Sequence, residues 1–136
     1  MSARAAVYRL LSEDPELKSA WGIDGDWVYP AQSLDTPPGD HYFLVMRWAE
    51  TTPGSNLASK TEILTVWAHS AKTFSADYAD LVRILNRVRD VLTGISHVAG
   101  EDGIMTLAHY RGMSPDFDDP VMMTITKNIE FQILSR

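Results

Sequence analysis

Between Lys60 and Gly94 the spacing of apolar positions changes from two to three or four, and this predicts a strand followed by a helix. In Thr61 to His69, Glu62, Leu64, Val66 and Ala68 share one face of a strand. Ile63, Thr65, Trp67 and His69 share the other. Both faces carry bulk, which places this strand centrally in its sheet. Ser70 to Phe74 is a turn. From Ser75 to Thr93, Tyr78, Leu81, Val82, Leu85, Val88 and Leu92 form one apolar stripe, with Asp77, Asp80, Arg83, Asn86, Arg87 and Asp90 opposite. Ser75 is positioned to cap the first turn and Gly94 to end the helix in a left-handed conformation. About 18 residues at a helical rise span roughly 27 Å, enough to cross a small sheet.

The same patterning orders the rest of the chain. Ala3, Ala6, Val7, Leu10 and Leu11 predict an opening helix of about three turns. Asp14-Pro15 is an N-cap followed by proline at the first helical position, so a short second helix follows over Glu16 to Ala20 and stops at Gly22. Trp27 to Pro30 is a short extended piece, confined to a sheet edge because Pro30 has no N–H to donate. A Pro- and Gly-containing loop from Ala31 to Asp40 leads into a strand, His41 to Glu50, apolar on both faces. Thr51 to Ser59 joins that strand to the next as a long hairpin loop. After the helix, Ser96 to Gly103 is a loop, Ile104 to Tyr110 a strand, and Arg111 to Pro120 a second polar loop. In the last strand Val121, Met123, Ile125, Ile129, Phe131 and Ile133 alternate with Met122, Thr124, Thr126, Asn128, Glu130 and Gln132. Lys127 interrupts the inner row, and a bulge or bend is expected at Lys127-Asn128. Antiparallel strands with segregated helices predict one α+β domain over 1–136. Its sheet is mainly antiparallel, of about four to five strands, with one long helix and an N-terminal helix packed on it.

Composition narrows the function classes. The 136 residues are 45% hydrophobic and 22% charged, ordinary globular values, and the length suffices for a real core. A net charge of −6 disfavours a tight, sequence-independent grip on nucleic acid, which needs clustered Lys and Arg. The absence of cysteine removes disulfides, thiolate metal sites and cysteine nucleophiles, and fits a reducing compartment. Arg4 and Arg9 interrupt the N-terminal stretch, and no run approaches 18 apolar residues. Neither a signal peptide nor a membrane span is expected, and a soluble protein made in the cytoplasm is.

Candidate chemistry is sparse. A hairpin symmetric about Ser55 would make His41 and His69 cross-strand neighbours beside Asp40, yet a metal site needs a further ligand at fixed geometry. Two polar residues at the solvated end of a hairpin is the simpler expectation. Asp116, Asp118 and Asp119 occupy one loop without the alternation and closing Glu of a calcium loop. No Gly-rich phosphate loop, GxSxG elbow or HExxH is present. Arg83, Arg87 and Arg89 are interspersed with Asp80 and Asp90, which suits a salt-bridged surface or a subunit contact rather than a nucleic-acid footprint. No catalytic residue, cofactor or metal is expected. Four Trp residues in so short a chain are mostly core, with one or two near loops available as contact anchors.

Taken together, the order resembles the tail-terminator (tail-completion) proteins of long-tailed bacteriophages with non-contractile tails. The resembling stretches are Val7-Tyr8-Arg9-Leu10-Leu11-Ser12-Glu13-Asp14-Pro15-Glu16-Leu17, then Val28-Tyr29-Pro30 and His41-Tyr42-Phe43-Leu44-Val45. Leu64-Thr65-Val66-Trp67-Ala68 leads on to Tyr78-Ala79-Asp80-Leu81 and a helix ending Val91-Leu92. The resemblance implies a virion protein of the head–tail joint that is not an enzyme. It would form a hexameric ring on the tail tube, halt tube polymerisation and present a surface to the head-side stopper or connector, while DNA passes without specific binding. On this expectation Trp27, Tyr29, Pro53, Asn56, Asp80, Arg83 and Arg87 are subunit-contact candidates, and Asp116, Asp118 and Asp119 are candidates for the lumen. Another head–tail connector component, or a small-ligand binding α+β module, is the alternative.

Overall fold

In the computed structural model the described residues are 2–20, 28–29, 41–50, 60–93, 98–99, 104–121 and 123–135. The chain opens with α1 (Ser2–Ser12), and α2 (Pro15–Ala20) follows after a single turn. Asp14 caps α2 as expected, its Oδ2 accepting the Leu17 N–H at 3.1 Å. β1 (Val28–Tyr29), β2 (Phe43–Glu50), β3 (Lys60–Ala71), β4 (Val98–Ala99), β5 (Ile104–Met113), β6 (Phe117–Asp119) and β7 (Thr124–Ser135) form one sheet, and α3 (Tyr78–Thr93) lies between β3 and β4 in sequence. The spatial order is β1-β2-β3-β7-β5-β4, with β6 also on β7. Every pairing is antiparallel except the edge piece β1, which runs parallel to β2. This is the expected α+β architecture: four long strands carry the sheet and three short ones extend it.

The alternation along β3 decides where the core sits. Leu64, Val66 and Ala68 face Leu44 and Met46 of β2 and Ile129, Phe131 and Ile133 of β7, all buried. Leu81, Ile84, Leu85, Val88, Val91 and Leu92 of α3 close over them, and Val7 and Leu11 of α1 join the same cluster. The buried helical face is thus wider than the single stripe predicted. Ile84 and Val91 belong to it, while Val82 is half-buried, because α3 packs against α1 as well as the sheet.

Several boundaries depart from the sequence expectation. The helix begins at Tyr78, and its cap is Asp77, whose Oδ1 accepts the Ala79 N–H at 2.9 Å. Ser75 is occupied in closing the preceding turn. Its N–H donates to Ala71 O at 3.0 Å, its carbonyl accepts from Ser70 Oγ at 3.0 Å, and its hydroxyl accepts from Asp77 N at 3.3 Å. Residues expected as loop contain strands: Val98–Ala99 pairs with β5, β5 continues to Met113, and Phe117–Asp119 pairs with Ile125 and its neighbours. The last strand starts at Thr124 instead of Val121. Asp119 Oδ1 takes the Val121 N–H at 3.0 Å, and Met123 adopts a left-handed conformation with φ 56°, which interrupts extended pairing.

No bulge occurs in β7, which pairs with β3 without a register shift from Thr124 to Ser135. The irregularities lie in β5, between Met105 and Leu107 and between Tyr110 and Gly112. Gly112 has φ 151°, a conformation that suits glycine at the bulge. At Lys127-Asn128 the neighbour of β7 changes from β5 to β6. Ser114 bridges the gap, its N–H donating to Asn128 O at 2.8 Å and its hydroxyl accepting the Asn128 N–H at 2.9 Å. Lys127 keeps its place in the inner row opposite Ala68, and its ammonium escapes to Asp116 Oδ1 at 2.8 Å. The long hairpin loop at 51–59, the helix stops at Gly22 and Gly94, and the acidic stretch 101–103 lie outside the described residues.

Candidate functional site

The predicted neighbours His41 and His69 are not paired across the hairpin. The β2–β3 register sets His69 opposite Phe43, and the imidazole stacks on that ring with centroids 4.9 Å apart. His69 is buried, not solvated, and its Nδ1 lies 3.0 Å from Thr124 Oγ1. Burial lowers its pKa to about 4; Arg47 adds to the shift and Asp119 opposes it. Trp67, with Arg47 over its ring at 5.9 Å and Phe117 against it at 6.0 Å, continues the same row on the sheet face away from the helices. The imidazole is therefore a neutral member of an aromatic layer. No group of three or more His, Cys, Asp or Glu among the described residues could hold a metal ion.

All three helix-face candidates, Asp80, Arg83 and Arg87, have partners inside the domain. Asp80 Oδ2 accepts the Tyr42 hydroxyl at 2.8 Å, and Asp80 Oδ1 meets Arg83 Nη2 at 2.9 Å. Burial, reinforced by the Asp80 hydrogen bond, raises the Tyr42 pKa. Arg87 grips Asp14 with both forks, Nε to Oδ2 at 3.0 Å and Nη2 to Oδ1 at 2.8 Å, and also reaches Glu16 Oε2 at 3.0 Å. That hydrogen-bonded guanidinium holds the Asp14 carboxyl below its ordinary value, while Asp14 raises Arg87. Arg87 is thus a clamp between α2 and α3. Arg83, 62% exposed, remains available on the outer helix face while paired with Asp80. Tyr29 sits in the edge strand β1, whereas Trp27, Pro53 and Asn56 lie outside the described residues.

The three aspartates gather at one end of the sheet. Asp116 pairs with Lys127, Asp118 with Lys72, and Asp119 accepts the Val121 N–H. Two lysines therefore offset charge that the sequence shows as a bare acidic loop. The same end carries a feature that polar–apolar counting missed: Phe74, Phe117, Val121 and Met123 are exposed by 44%, 40%, 91% and 62%. Asp-Asp-Pro immediately before Val121 was the available signal, since such a cluster favours a turn over a buried strand.

No known family model matches the sequence, and no curated protein is significantly similar to it. The fold is similar to that of a chain in the virion of a native gene transfer agent (GTA) particle. The TM-score is 0.71 at 18% sequence identity, covering 98% of this chain and 94% of that chain. At this identity the likeness is one of fold, and it extends over nearly the whole of both chains.

Proposed function

We propose that the protein is a structural virion component that forms a six-membered ring on the end of a tail tube, stops tube growth and presents a joining surface to the head-side stopper or connector. The observation that carries this reading is the whole-chain fold likeness to a chain of a GTA virion, reached independently of the tail-terminator resemblance in the sequence. The side chains support a contact role over a catalytic one: His69 is buried and neutral, and Lys72, Arg87 and Lys127 are engaged in ion pairs within the chain. A cyclic ring needs two different faces per subunit. The edge piece bearing Tyr29 supplies one, and Trp27 precedes it in sequence. The outer face of α3 with Asp80 and Arg83 supplies the other, and Pro53 and Asn56 are further contact candidates from the sequence. The negative balance of the chain suits a passage that DNA crosses without adhering.

Reconstruction of tail ends from particles, with the protein located by a tag, tests the reading. Six copies at the head-proximal tube end are expected. A ring on the head side of that position would make the protein a stopper or adaptor, and its absence from particles would refute a virion role.

A further inference from the structure

All four exposed large apolar side chains among the described residues, Phe74, Phe117, Val121 and Met123, lie at the end of the sheet where β3 finishes and β7 begins. Ala71 pairs with Thr124 there, and the Lys72 N–H donates to Met123 O at 3.1 Å, which locks the Met123 turn beside the Phe74 turn. Phe117 is fixed by its pairing with Thr126, and its carbonyl accepts the Tyr78 hydroxyl at 2.7 Å. The turn is held by the Asp119 carboxylate on the Val121 N–H and by the Lys72 N–H on the Met123 carbonyl, and the Met123 φ of 56° is the only positive value at a non-glycine among the described residues. Val121 and Met123 share one turn, which the Lys72–Met123 hydrogen bond joins to the turn of Phe74, while Phe117 lies against Trp67 on the sheet face away from the helices. Apolar side chains left exposed at one end of a charged domain mark an interaction site more than isolated ones do.

We infer that this end is a docking surface for a different protein, one that presents an apolar pocket flanked by Lys or Arg. Charge selects that partner over a second copy. This end carries Asp116, Asp118 and Asp119 on the β6 side and Asp77 at the start of α3, against Lys72 and Lys127, which pair with Asp118 and Asp116. Among the described residues, Lys72, Arg83, Arg87, Arg89, Arg111 and Lys127 are paired with acids of the same chain. With a net charge of −6, another copy would bring more acid than base to this rim. The inference also moves Asp116, Asp118 and Asp119 from a DNA passage to the border of a protein contact. It rests on the virion reading above, in which a neighbouring component of the particle is the occupant.

Val121 is the residue to change, since at 91% exposure its side chain contributes little to the fold. The probe is the particle itself, produced from a null background complemented with wild type, Val121→Asp or Val121→Lys. Against a basic partner the lysine variant should fall about tenfold in incorporation and the aspartate variant only about twofold, with thermal melts of the subunits unchanged. A photo-crosslinking residue at position 121 should join the chain to a different particle protein. Equal incorporation of all three forms, a reversed order of the two variants, or cross-linking to a second copy would overturn the inference. Loss of the wild-type chain from particles would instead refute the virion reading.

Discussion

Asp14→Ala should be the most informative single perturbation of the folded subunit. The Asp14 side chain is 6% exposed and makes three hydrogen bonds: one to the Leu17 N–H as helix cap and two to Arg87. Loss of a cap costs about 1 kcal/mol. Loss of the charge-assisted pair adds about 2 kcal/mol, below the 3–5 kcal/mol typical of a fully buried pair, because Arg87 is 32% exposed and can rehydrate or lean on Glu16. The sum is about 3 kcal/mol. With about 2.1 cal/mol/K of unfolding entropy per residue over 136 residues, this corresponds to a fall of about 10 °C in Tm. Urea unfolding at pH 7, followed by circular dichroism, measures it, and the m-value should not change. Arg87→Ala should cost about 2 kcal/mol, and the double variant should fall short of additivity by about 1.5 kcal/mol. Asp14→Asn keeps a cap acceptor and should lie between wild type and Asp14→Ala. Additive single effects, or an Arg87→Ala that abolishes assembly at unchanged stability, would refute the clamp and return Arg87 to the subunit surface.

Four further outcomes follow from the packing. The His69 pKa is depressed from 6.5 to about 4, so below pH 6.5 the unfolded chain binds the proton first; stability present above that pH is lost as it falls toward 4, by roughly 3 kcal/mol. His69→Phe, stacked on Phe43, should flatten the acid slope in that window, and an unchanged slope would show that another group governs it. Asp14 acts in a lower window: its depressed pKa makes a contribution present above the ordinary carboxylate value and lost as pH falls through the folded one. Asp77→Ala should cost about 1 kcal/mol as loss of the α3 cap, and Ser75→Ala less; the reverse order in thermal melts would restore Ser75 as the cap. Ile84→Ala should cost about 2–4 kcal/mol while Val82→Ala costs under about 1 kcal/mol, and equal effects in urea titrations would contradict the burial of the wider helix face.

Local chemistry was enough to place α1, α2, β2, β3 and α3, because each carries its own period, and enough to identify Asp14 as a cap, because Asp-Pro has few other uses. The central position of β3 followed from bulk on both of its faces. What the sequence could not settle was anything that depends on a second segment. The two-residue shift that sets Phe43 rather than His41 opposite His69 is decided by the register of two strands, and it turns a surface imidazole into a buried, neutral one. β6 has three residues, two of them Asp, and exists as strand because β7 offers a free edge beyond the end of β5. The irregularity expected in β7 lies in β5 instead: β7 is paired without interruption to β3, while β5 takes the extra residues on its side of the β5–β7 ladder. Val121 and Met123 alternate as if buried, and only the turn closed by Asp119 and Lys72 leaves them in solvent. A strand's own sequence sets its alternation, but which of its residues meet water is set by the neighbour that pairs with it and by where that pairing stops.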